Sequence, residues 1–140
     1  MKSSDKIHIT KLVAFIGIIA VAAGARLYYG GLCSVIKHGT YTVYGTRDEE
    51  VVYESVPAFG VRGVYERVDA CGGELTATEI LDRSRAIVKG KETLGKTVVY
   101  YAFSPYCGGG EKTVYGTVNL MIAVRGDRVA AGSPLLKGSY

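Results

Sequence analysis

The run Leu12 to Ala25, LVAFIGIIAVAAGA, constrains this chain more than any other stretch. It carries no charge and lies between Lys11 and Arg26. As a helix its fourteen residues span roughly 21 Å, short of a hydrocarbon core of roughly 30 Å. A helix from Ile7 to Tyr29 reaches about 34 Å; Lys11 and Arg26 must then snorkel, and Tyr28 and Tyr29 suit the interface. The competing reading is a secretory signal. Lys2, Lys6 and Lys11 form its basic region, and Ala23-Gly24-Ala25 is an A-x-A-type cleavage site before Arg26. Residues 1–25 are therefore expected to be a signal peptide or an N-terminal membrane anchor. Either one directs the remainder to the cell surface or beyond.

That remainder is sized for one domain. The 140-residue chain has a net charge of +4, too small and too scattered for nucleic-acid binding. It contains no Gln, a single Asn and 11 Tyr. Depletion of thermolabile amides is a mark of proteins from very hot environments and points to a thermophilic, archaeal source. In an exported domain, Cys33, Cys71 and Cys107 read as one disulfide plus one odd thiol. Sequence alone leaves three pairings open. The Gly-Gly pairs that follow Cys71 and Cys107 allow close backbone approach, which makes Cys71–Cys107 the expected bond and leaves Cys33 for an intermolecular bond or a buried role.

Along the chain, residues 26–34 form an apolar arm and residues 35–140 a β-rich domain. Strands are expected at 35–44, 51–56 and 61–68 from their β-branched and aromatic content. A glycine-cysteine loop at 70–74 precedes a helix over 77–88, with Thr76 and Glu79 as its capping box and Ile80, Leu81 and Ile87 as its apolar stripe. A loop at 90–95, a strand at 97–103 and a loop at 104–112 follow. The strand at 113–124 ends in VNLMIAV, apolar enough to be covered on both faces. Residues 125–128 are a turn, Val129 starts a returning strand, and Pro134 and Gly138 mark a loose tail. The expected fold is mainly β: a single sandwich-like domain with one helix, preceded by an N-terminal hydrophobic helix, with α+β as the alternative.

No constellation points to catalysis or to a cofactor. Gly90 to Thr97 spells G-x-x-x-x-G-K-T, the P-loop pattern. That chemistry needs a strand before the loop and a helix after it, and here the order is reversed. His38 is the only histidine of the domain, available for a Cys-His dyad but more ordinary as a solvent-facing residue. Cys33, His38, Cys71 and Cys107 match a Cys3His zinc set in number but lack paired C-x2-C knuckles. Asp48, Glu49 and Glu50 read as a solvated turn, and Arg125-Gly126-Asp127 as a hairpin turn.

A basic leader, an apolar N-terminal segment and a small β-rich outer domain resemble pilin-like subunits of archaeal surface filaments. Lys11 and the run Leu12 to Ala25 carry the resemblance. The prepilin cleavage motif is not matched: Thr10-Lys11 occupies the processed bond, and Ile16 the place that often holds Glu. The resemblance implies a non-enzymatic extracellular surface or filament subunit whose partners are copies of itself. Cleavage after Ala25 opens a second route, in which the arm adds a strand to a neighbour's sheet. Arg26, Leu27, Tyr28, Tyr29, Leu32 and Cys33 then carry assembly, and Cys33 cross-links subunits. The alternative is a single-span accessory subunit of a membrane complex, anchored through residues 12–25. A P-loop nucleotide-binding or metal-binding protein is the third.

Overall fold

The computed structural model describes residues 3–29, 31–54 and 64–140, and only the backbone at 3–5, 21–29, 33 and 34. Among the described residues there are three helices: α1 (Ser3–Tyr29), α2 (Gly31–Val35) and α3 (Gly73–Arg83). The strands are β1 (Thr40–Tyr44), β2 (Glu50–Tyr53), β3 (Tyr65–Cys71), β4 (Ile87–Leu94), β5 (Thr97–Phe103), β6 (Glu111–Thr113), β7 (Gly116–Val118), β8 (Leu120–Arg125) and β9 (Arg128–Ser133). The chain is thus mainly β. Seven strands form one antiparallel sheet in the order β2-β1-β3-β9-β8-β5-β4, and β6 and β7 pair as a separate hairpin.

The apolar VNLMIAV run is buried because β8 lies inside the sheet between β9 and β5. Side chains alternate across a strand. Leu120, Ile122 and Val124 therefore face one way and join Val68, Val129 and Ala131 with Leu32 and Val35 of α2 and Ala77 and Ile80 of α3. Met121 and Ala123 face the other way and meet Val99, Ala130 and Leu136. One face of the sheet is thus covered by helices and the other by the C-terminal segment. Burying Ile122 completely contributes about 1.5–3 kcal/mol.

Several local expectations are corrected. Residues 31–35 are helical, so the first strand begins at Thr40 rather than at residue 35. The helix expected over 77–88 runs from Gly73 to Arg83. Its N-cap is Gly72, with φ 115°, a conformation costly for any residue with a Cβ. The Asp127 carbonyl accepts from the Gly72 and Gly73 amides at 2.8 and 3.1 Å, which fastens the start of α3 to the β8–β9 turn. Thr76 lies inside the helix and donates to the Cys71 carbonyl at 2.8 Å, so no Thr76–Glu79 capping box forms. Ile87 begins β4 and is exposed. The loop expected at 90–95 is strand: β4 and β5 form a tight hairpin in which Leu94 pairs with Thr97. The long strand expected at 113–124 divides into β7 and β8. The tail is anchored, since Leu136 is buried and its amide donates to Met121 Sδ at 3.4 Å. Residues 55–63, including Pro57 and the first part of the strand expected at 61–68, lie outside the described residues.

Two buried polar groups hold the elements in place. Glu66, on β3, accepts from the Tyr41 hydroxyl at 2.6 Å and from the Leu32 amide at 3.3 Å, so a sheet carboxylate fastens the first turn of α2. Asn119, the only asparagine of the chain, is fully buried between β7 and β8. Its Oδ1 accepts from the Ser104 amide at 2.7 Å, and its Nδ2 donates to the carbonyls of Ser104 and Cys107 at 2.8 and 2.7 Å. An Asn119→Ala substitution removes all three of these buried hydrogen bonds. It is expected to lower unfolding free energy by about 3 kcal/mol, measured as a shift of the denaturant midpoint at unchanged m-value.

Candidate functional site

Among the described residues, a run of exposed large apolar side chains belongs to α1. Ile7, Ile9, Leu12, Val13, Phe15, Ile16, Ile18 and Ile19 are each 50–68% exposed. At 3.6 residues per turn these positions cover more than half of the helix circumference. A helix apolar on one face packs on its own domain, whereas one apolar on most sides is buried by lipid or by other helices. Among the described residues no helix is long and apolar enough to cross a membrane; from Val21 the apolar run continues beyond the described side chains.

The residues expected to carry assembly have mixed placements. Arg26, Leu27, Tyr28 and Tyr29 continue α1, and Cys33 lies in α2; the side chains of all five are outside the described residues. Leu32 is 1% exposed and belongs to the domain's own core, with Val35 and Ile36 beside it. The expectation of a free, extended arm for strand donation is therefore corrected. Releasing this segment would open the core and remove the amide that Glu66 holds.

The Cys71–Cys107 disulfide is also corrected. Cys71 pairs with Arg128, Arg128 with Arg125, and Arg125 with Thr97, which places Cys71 level with the start of β5. Cys107 lies past the other end of β5, where its amide donates to the Ser104 carbonyl. A strand of this length separates them by roughly 20 Å, whereas a disulfide requires Cα atoms within about 7 Å. Cys71 is an exposed free thiol and Cys107 is buried. The same separation breaks up the four-residue zinc set. Glycine and apolar context could not reveal that the two cysteines sit at opposite ends of the sheet.

His38 and Cys71 do come together, lining a cavity of about 680 Å³ between the 35–40 segment and α3, with Glu54, Asp69, Thr76 and Glu79. A thiol–imidazole nucleophile requires a direct hydrogen bond. Among the described residues none joins His38 to Cys71. Nor does the P-loop pattern form a phosphate cradle. Its amides belong to the β4–β5 ladder, and no helix follows.

Sequence reasoning missed a set of tyrosine–carboxylate pairs. Tyr65 donates to Glu111 at 2.5 Å and Tyr100 to Glu74 at 2.8 Å. Tyr115 and Tyr101 both donate to Glu92, at 2.6 and 3.3 Å, with their rings 5.0 Å apart. The Tyr115 ring lies flat over Gly90, where an added Cβ would come within 2.3 Å. Only glycine permits this, which explains a glycine within an edge strand at a β-bulge. The hydrogen bond to Glu111 raises the Tyr65 phenol above its usual value of 10.0, and the bond to Glu92 does the same for Tyr115. Burial, then the neighbouring carboxylate, raises Tyr100 and Tyr101. The signal available in sequence was the excess of tyrosine itself.

Comparison with family models, curated proteins and solved structures finds no match to this chain.

Two measurements check these placements. Native alkylation followed by peptide mass analysis is expected to label Cys71 fully and to leave Cys107 protected until the chain unfolds. In alkaline solution the native state holds phenol protons that the unfolded chain has lost. The tyrosine contribution to stability is therefore complete below pH 10 and disappears as pH rises through the raised native values. A tyrosinate absorbance titration should show a native midpoint above 10.0, and Glu92→Gln should return Tyr115 toward that value.

Proposed function

We propose that this chain is a non-enzymatic subunit of an extracellular surface or filament assembly, joined to copies of itself through its N-terminal helix. The observation that carries this reading is the apolar residues of α1, exposed on more than half of its circumference. Helix packing replaces strand donation as the mode of assembly, because α2 and Leu32 are built into the core of their own domain. Among the described residues no Cys–His pair is hydrogen-bonded, and this, with the ladder geometry of the P-loop pattern, supports a structural role. An archaeal, thermophilic source and cell-surface location belong to the same reading.

The second reading, an accessory subunit anchored in a membrane complex, is favoured by the wide apolar circumference of α1, which suits lipid as well as helix partners. Detergent separates the two. For the assembled subunit, the full-length protein stays in high-mass particles after extraction with mild detergent, and Ile16→Lys disperses them. A monodisperse, detergent-dependent particle with an intact N-terminus and a fixed heterologous partner sinks the filament reading.

A further inference from the structure

A second cavity, of about 780 Å³, lies on the face of the sheet opposite α2 and α3. It is built from two transverse rows of side chains. Register pairing sets Cys71, Arg128, Arg125 and Thr97 side by side across β3, β9, β8 and β5. The next row is Asp69, Ala130, Ala123 and Val99. The two alanines form a low floor, and Ser139 and Tyr140 of the C-terminal segment border the space.

The charge in this cavity is one-sided. Arg67 is committed: its guanidinium grips Asp69 at 2.8–3.1 Å and donates to the Lys137 carbonyl at 2.9 Å. That pairing also engages Asp69, the one carboxylate side chain of the lining. Arg125 and Arg128 are directly opposite each other as the closing pair of the β8–β9 hairpin. Like charges at such a pair repel. Among the described residues neither arginine has an ion-pair partner. Asp127, in the turn between them, directs its Oδ1 to the Gly72 amide at 3.2 Å. Two guanidinium groups thus face one partly enclosed space whose carboxylate side chain, Asp69, is already engaged by Arg67.

We propose that this cavity binds a small organic oxyanion, a phosphate or sulfate ester, whose anionic group is gripped by Arg125 and Arg128. Planar guanidinium groups match tetrahedral oxyanions in paired hydrogen bonds. The volume falls in the range of about 300–1,000 Å³ typical of pockets for small organic ligands, so a bare ion fills only part of it. The apolar floor of Ala123 and Ala130 takes the body of the ester, and the hydroxyls of Thr97 and Ser139 are placed for its polar atoms. The site stands independently of the role of α1.

The test is calorimetric titration of the full-length protein with a hexose phosphate, a hexose sulfate, inorganic phosphate and inorganic sulfate, each against chloride at equal ionic strength. Saturable binding of an ester, tighter than its inorganic ion and absent with chloride, is expected, and the preferred ester identifies the source. The Arg125→Gln/Arg128→Gln double variant should weaken binding by about tenfold or more, whereas Arg83→Gln should bind as the parent does. Unchanged affinity in the double variant, or a response equal to that of chloride, overturns the site. A readout in the unmodified protein covers the case in which the double variant misfolds. Cys71 lines the cavity, so saturating ester should slow its alkylation by neutral iodoacetamide several-fold. An unchanged alkylation rate overturns the proposal equally.

Discussion

Two-sided burial of β8 is the constraint on which the rest depends. A strand that is apolar on both faces cannot stop at a single layer, because each face left in water would forgo the stabilisation that burial provides. Leu120, Ile122 and Val124 require α2 and α3 on one side, and Met121 and Ala123 require the C-terminal segment on the other. The same strand needs a paired neighbour along each edge, which β5 and β9 supply. Asn119, immediately before β8, then joins the strand to the loop after β5. A chain depleted of amides keeps its one asparagine where it bonds three backbone groups in the interior.

What could be read in the sequence follows from burial. β5 and β8 were legible because their side chains pack against something, and packing leaves a pattern of β-branched, aromatic and apolar residues. The turn at 125–128 was legible because a two-residue connection requires glycine and a polar neighbour. β4 was not, since it is an edge strand with charged residues facing solvent and a glycine that serves Tyr115. Edge strands are defined by their partner's hydrogen bonds, which sequence does not display. The helix over 73–83 starts ahead of the expected 77 because its cap is a glycine held by Asp127, from a turn more than fifty residues away. A side-chain capping box is a local signal; a backbone cap supplied by another hairpin is not.

The site residues divide along the same line. The apolar character of α1 is a property of composition and could be seen directly. The pairing of cysteines is a property of topology and could not. Cys71 and Cys107 share a glycine-rich context, yet antiparallel order places one level with the start of β5 and the other beyond its end. Arg125 and Arg128 looked like the flanks of an ordinary turn. Only the register shows that they face one another, beside Cys71 and Thr97, over a floor of alanines.

The sheet also separates two kinds of surface. α2, which follows α1 in sequence, packs on β3 and β9 from the helical face, where Glu66 fastens its first turn. The arginine-lined cavity opens on the other face, beneath residues 139–140. The attachment of α2 therefore uses one face of the sheet, and the arginine-lined cavity the opposite one. β3 and β9 contribute to both. Val68, Val129 and Ala131 support the helices, while Asp69, Cys71 and Arg128 line the cavity. Strand alternation lets two adjacent strands serve both faces, and Asp69 and Cys71, near the end of β3, also border the cavity beside α3.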